Sequence, residues 1–157
     1  MMIKLTRIDD RLLHGQVAFT WTPSLGIDCL LIANDKAAKD SFLKLTFGLA
    51  KPSGVQLQIK SLAETVSFLQ QEKSAHLKIL LLVTCIKDAS YLSGALPEIK
   101  SINFGGIRGK EGSRLISKAV AITEEDIILI RELLGKGIEL EARQVPTDPK
   151  QLIENLI

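Results

Sequence analysis

The 157-residue chain has two histidines and two cysteines, so few side chains could carry a transferred group. His14 stands in the run Arg7-Ile8-Asp9-Asp10-Arg11-Leu12-Leu13-His14-Gly15-Gln16, between a strand-like segment and a helix-like one. An imidazole nitrogen can hold a phosphoryl group. A helix start beside it offers free N–H groups and partial positive charge, both favourable to an anion. Arg11, three residues upstream, can clamp phosphate oxygens in bidentate fashion, and Arg7 is a second candidate for that task. Asp9 and Asp10 would repel phosphate, so either is expected to hold an arginine or the imidazole in place. Gly15 and Gln16, at the helix start, complete the expected phosphate cradle. Phosphoryl transfer needs mainly positioning and charge neutralisation. This constellation supplies both with no metal and no cofactor.

The other reactive side chains have poorer settings. Cys29 and Cys85 lie in or at the end of apolar runs and read as buried thiols, with only Lys87 near Cys85 to lower its pKa. His76 follows the polar segment Gln70-Gln71-Glu72-Lys73-Ser74 and reads as a solvated surface residue. The glycine-rich stretch 105–112 is not a nucleotide loop: Phe104 stands where the first glycine of G-x-x-x-x-G-K-[ST] belongs, and Glu111 follows Gly109-Lys110. It reads either as a mobile loop of unusual backbone angles or as a site rim where Arg108 or backbone N–H groups face an anion. Neither a paired-histidine metal spacing nor a G-x-S-x-G elbow is present.

These residues need a scaffold, and the periodicity supplies one. Strands are expected at Ile3–Ile8, Cys29–Ala33, Val55–Lys60, Lys78–Thr84, Ser101–Phe104, Ser117–Ile122 and Ile138–Val145. Between them, helices are expected over Gly15–Thr22, stopped by Pro23 and Gly26, and over Asp40–Ala50. Others should run from the capping box Ser61-Leu62-Ala63-Glu64 to Gln71, over Asp88–Leu92, and from Thr123 to Leu134. Asp148-Pro149 is expected to open a terminal helix. The pattern is that of a single α/β domain over residues 1–157. Its core is a mostly parallel central sheet of about seven strands, with helices on both faces. Sites in such sheets gather at the carboxyl ends of strands, which adds Asn34, Asp35, Gly105, Gly106 and Arg108 as rim candidates around His14.

Bulk composition narrows the partners. A net charge of +2 with no basic block, one Trp and one Tyr argue against nucleic acid. No apolar run approaches the roughly 20 residues that span a bilayer, and the first residues lack a signal peptide's apolar core. The expectation is a cytoplasmic protein with no direct membrane insertion.

The run Arg7 to Val17, with Trp21 behind it, closely resembles the enzyme IIB component of the mannose/fructose/sorbose family of the bacterial phosphoenolpyruvate-dependent sugar phosphotransferase system. Further similarities recur at Asn34-Asp35 with Asp40, Pro52, Gly105-Gly106 with Arg108, Thr123 with Asp126, and Glu141-Ala142-Arg143-Gln144-Val145-Pro146. The resemblance covers essentially the whole chain and looks like a free-standing IIB rather than a IIAB fusion. It implies that His14 takes a phosphoryl group at Nδ1 from a phosphohistidine on a IIA phosphocarrier domain. It further implies transfer to a sugar entering through membrane components IIC and IID, which would place the protein at the permease. Arg11 matches the family's phosphate-binding arginine. The chain is also somewhat similar to the N-acetylgalactosamine or galactosamine subgroup, although sugar choice in the family resides largely in the membrane components.

Two other readings compete. A histidine phosphatase also places Arg and His-Gly after its first strand, but its adjacent arginine is replaced here by Leu13, and its second histidine would have to be His76. A non-catalytic module would have no need of the histidine and arginines. Relay partners must each reach His14, so a partly apolar rim is expected. Leu12, Leu13 and Phe19 are its candidates, with Phe19 the one favoured for the core instead.

Overall fold

Continuous apolar runs such as Cys-Leu-Leu-Ile-Ala mark strands covered on both faces, and they lie at the middle of the molecule. The computed structural model describes residues 2–157. Its main sheet contains β1 (Met2–Asp9), β2 (Cys29–Ala33), β3 (Gln56–Lys60), β4 (Lys78–Val83), β5 (Ser101–Gly106), β8 (Glu139–Ala142) and β9 (Gln151–Leu152). The strand order is β3-β2-β4-β1-β5-β8-β9, parallel throughout except for the antiparallel edge strand β9. The short β6 (Arg114–Ser117) and β7 (Val120–Ile122) form a separate antiparallel ribbon.

Side-chain alternation divides the interior into two cores. Leu30, Ile32, Leu80 and Leu82 pack with Val17, Ala18, Trp21 and Phe47 on one face. Leu31, Ile79, Leu81 and Val83 pack on the other with Phe68, Ala89, Leu92, Ile130 and Leu133. Helical residues 15–24 and α3 (Ser41–Ala50) therefore cover the first face, with the short α2 (Asp35–Ala38) leading into α3. The second is covered by α4 (Leu62–Leu69), α5 (Ile86–Ala95) and α6 (Glu124–Gly135). The neighbours β1 and β4 thus feed elements on opposite faces, the arrangement beside which sites form in such sheets. Among the described residues, no helix is long and apolar enough to cross a membrane.

Several expectations change. Residues 117–122 are not one strand: a turn at Lys118-Ala119 folds them into the β6–β7 ribbon, and the seventh strand of the main sheet is β9. Asp148-Pro149 opens no helix. The Asp148 carboxylate accepts from Gln144 and Val145 N–H (3.1 and 3.3 Å), closing a turn that returns the chain as β9. Pro23 does not stop the first helix either. The segment widens into a π-helical turn at Val17–Trp21 just before Pro23 and continues as α1 (Thr22–Ser24), ending at Gly26 with φ +63°. Proline has no N–H for residue 19 and crowds that carbonyl in an ordinary turn, so a wider one accommodates it.

Candidate active site

The site begins with an alternation that breaks the apolar rule. Arg7 and Asp9 are two apart on β1, so both point to the same sheet face, and both are fully buried. The Asp9 carboxylate gathers the donors around it. Oδ2 accepts from Arg7 Nη2 (3.1 Å) and from His14 Nε2 (2.9 Å), while Oδ1 accepts from the Arg11 N–H (3.0 Å). Burial by itself would push the Asp9 carboxyl up. The hydrogen bonds from His14 and Arg11 and the charge of Arg7 outweigh it, holding the group below the usual carboxylate range.

The turn from strand to helix brings His14 back onto Asp9. Leu12 N–H donates to Asp9 O (2.9 Å), and Leu12 adopts the left-handed conformation at φ +58°. That backbone costs a non-glycine residue about 1–2 kcal/mol. Burial of Leu12 and Leu13 in the first core offsets it. The expectation for the rim is therefore reversed: Leu12 and Leu13 are core, and Phe19 is 69% exposed.

An ionised carboxylate only accepts, so the Asp9 contact puts the proton of a neutral His14 on Nε2 and the lone pair on Nδ1. Nδ1 has no partner among the described residues and reaches solvent. Gly15 and Gln16 follow as the exposed first turn of the helical segment, whose N–H groups have no intrahelical acceptor. Arg11 stands half out in solvent with its Nε 3.8 Å from Asp9 Oδ1, leaving its guanidinium available at the mouth.

Arg7 has a different place from the one expected. It lies beneath Asp9, away from solvent, in a polar layer that no local motif announces. Its Nη1 donates to Asn103 Oδ1 (2.8 Å) and Arg143 O (3.1 Å), and Asn103 Nδ2 donates to Glu141 Oε1 (3.0 Å). Glu141 in turn accepts from Arg143 Nε and Nη2 (3.0 and 2.9 Å). Trp21 caps the layer, its ring centre 5.6 Å from the Arg7 guanidinium carbon and 5.0 Å from that of Arg143, with its N–H donating to Gln144 O (2.9 Å). Burial lowers the Arg7 pKa, and Asp9 and Glu141 oppose that shift. A signal was present in the sequence: an arginine facing inward from a buried strand needs acceptors on neighbouring strands.

Gly105 and Gly106 belong to β5 rather than to a loop, and neither has a positive φ. Their role is room. The β1–β5 register pairs Ile8 with Phe104 and Asp9 with Gly106, so Gly105 is the extra residue of a bulge. A Cβ there would fall on the Arg7 guanidinium. Beyond β5, Arg108 clasps the site from outside, its N–H and Nε donating to Asp10 Oδ2 (2.8 and 3.1 Å).

Asn34 and Asp35 share this sheet edge, but β4 separates their strand from β1. Asn34 caps α2 through Ala37 N–H (2.8 Å), and Asp35 accepts from Leu62 N–H (2.9 Å). Cys85 is half-buried, not buried as expected, and sits at the N-cap of α5 with burial pushing its thiol up. Burial pushes Cys29 up to about 11. Neither is poised as a thiolate. His76 precedes β4, at the amino ends of the strands, while His14 follows β1 at their carboxyl ends. Among the described residues, no group of three or more His, Cys, Asp or Glu could hold a metal ion.

This arrangement has known counterparts. The sequence model of the "PTS system sorbose subfamily IIB component" matches residues 3–157. The chain belongs to that family. It is 36% identical over all of its 157 residues to the mannose-specific EIIAB component of Escherichia coli (strain K12), and spans about half (49%) of that relative's length. The crystal structure of the IIB domain of the sorbose permease from Klebsiella pneumoniae superimposes with TM-score 0.94 at 30% identity, covering 99% of this chain and 95% of the other. The N-acetylgalactosamine-specific IIB component 1 of E. coli gives TM-score 0.89 at 29% identity, covering 95% and 97%. One IIB fold therefore serves proteins named for different sugars.

Proposed function

We propose that this sorbose-subfamily IIB chain is a phosphocarrier whose phosphorylated residue is His14. The observation that carries the reading is the Asp9–His14 contact, which leaves Nδ1 as the unprotonated nitrogen at the surface. The Nδ1 lone pair attacks phosphorus on a phosphohistidine of a IIA domain. The donor's P–N bond breaks, and its electron pair returns to the donor imidazole. Nε2–H stays on Asp9, so the charge that develops on the His14 ring faces a buried carboxylate. Arg11 and the N–H groups of Gly15 and Gln16 neutralise the phosphoryl oxygens. In the second step a sugar hydroxyl attacks the phosphorus and loses its proton to water, and the His14 P–N bond breaks with the pair returning to Nδ1. IIA, the membrane components IIC and IID, and the sugar are the partners in this reading, with IIB acting from the cytoplasmic side. An N-acetylgalactosamine or galactosamine acceptor is the first to test.

Incubation with a phosphorylated IIA domain should label His14 with acid-labile, base-stable phosphate, mapped by mass spectrometry. Label that persists in His14→Gln would overturn the assignment. The phosphatase reading has no second histidine at the site, and it would instead show as inorganic phosphate released from a simple phosphomonoester.

A further inference from the structure

The phosphocarrier reading leaves open what recognises the donor protein, and the π-helical turn bears on that question. Val17, Ala18 and Trp21 turn into the core while Phe19 turns outward. Ala18 N–H donates to His14 O (2.9 Å), so Phe19 follows one helical turn after His14. Side chains four and five positions apart stack in such a turn, and position 15 is glycine, with nothing within 4 Å of where a Cβ would stand. The Phe19 ring, exposed Gly15 and Gln16, and the His14 imidazole thus form one strip of surface. Two cationic side chains border the phosphate end of this region, Arg11 and Arg108, with side chains 53% and 76% exposed.

We infer that Phe19 is the apolar anchor for the phosphohistidine-bearing donor protein, an inference that rests on the phosphocarrier reading. The chemistry commits the occupant. Two imidazoles must approach one phosphorus in line, so the donor's surface has to close over the first turn beside His14. The donor presents an anion to Arg11 and a protein surface to Phe19. Large aromatic side chains desolvated near the centre of a contact carry a disproportionate share of affinity. A single exposed phenylalanine elsewhere would need no explanation. Here it occupies ground that a transferring partner cannot leave uncovered. Phe19 touches neither phosphate nor imidazole in this scheme, so it sets how tightly the donor docks, and Arg11 sets how fast the group moves once docked.

The test is the initial rate of His14 labelling against the concentration of phosphorylated IIA domain, for the wild type, Phe19→Ser, Phe19→Leu and Arg11→Ala. Phe19→Ser should raise the half-saturating concentration roughly tenfold, with the limiting rate within about twofold of wild type. Phe19→Leu should recover most of the loss, and Arg11→Ala should lower the limiting rate instead. The side chain is exposed, so the fold is expected to survive, and a thermal melt checks it. An unchanged half-saturation in Phe19→Ser, or a fall in the limiting rate alone, overturns the docking role. A wild type that never accepts label overturns the phosphocarrier reading itself, and this inference with it.

Discussion

The two faces of the sheet are built on different physics. The face under α4, α5 and α6 is dry: Leu31, Ile79, Leu81 and Val83 meet Phe68, Leu92, Ile130 and Leu133, all buried. The face under helical residues 15–24 and α3 is equally apolar over β2 and β4. Over the carboxyl ends of β1, β5 and β8 it becomes a polar layer, the charges of Arg7, Asp9, Glu141 and Arg143 joined by the amide of Asn103 and roofed by Trp21. A buried ion pair adds little net stability over an apolar replacement, yet removing one partner costs about 3–5 kcal/mol. The dry face contributes apolar burial alone, while the charged layer uses its burial to fix Asp9, which in turn orients His14.

The comparison can be broken by substitutions on either side. The largest effect is expected at its outlet: His14→Gln should abolish labelling by phosphorylated IIA while circular dichroism and melting stay close to wild type. Next, Leu81→Ala on the dry face should cost about 2–5 kcal/mol in chemical denaturation yet leave labelling of the folded fraction unchanged. A large loss of transfer there would dissolve the division of labour. Asp9→Asn removes the charge facing the imidazole and should slow labelling about 10- to 100-fold, the size seen when the group orienting a metal-bound histidine is changed. Its NMR signature would be a shift of the His14 proton away from Nε2, and a tautomer unaltered by the change would contradict the role given to Asp9.

The smallest effect is one of pH. Asp9 is held below its ordinary value, so its contribution to stability is present above the unfolded carboxylate value of about 3.9. It is lost as pH falls through the lower folded value. Acid titration of the melting temperature below about pH 4 should therefore be shallower in Asp9→Asn than in the wild type. Equal slopes would remove the linkage.

Much of this was legible in the order of residues. The buried parallel strands read as unbroken apolar runs because nothing polar survives between two covered faces. The capping boxes at Ser61 and Thr123 were visible because their hydrogen bonds span three residues. The misreadings have physical causes too. Asp148-Pro149 has the composition of a helix start, but Asp148 is spent on a turn that pairs β9 with β8. Burial tendency favours Phe19 for the core, and a π turn rotates it outward. The glycines of 105–112 read as a stretch of unusual backbone angles, yet Gly105 and Gly106 have none, and it is Gly105 that is needed, for the space over Arg7.

Periodicity and a contiguous motif are local properties of the chain, so the fold class and the candidacy of the His14 imidazole can be read from the order of residues alone. Tertiary structure decided which nitrogen of that imidazole is free, which arginine faces solvent and which is sealed beneath Asp9. The first outcome rests on the Asp9–His14 contact, five positions apart, but the sealing of Arg7 rests on its hydrogen bond to Asn103 on β5 and from there to Glu141 on β8, residues 96 and 38 positions apart in successive steps. A pairing at such separation exists only once parallel strands are laid side by side, and no local pattern records it.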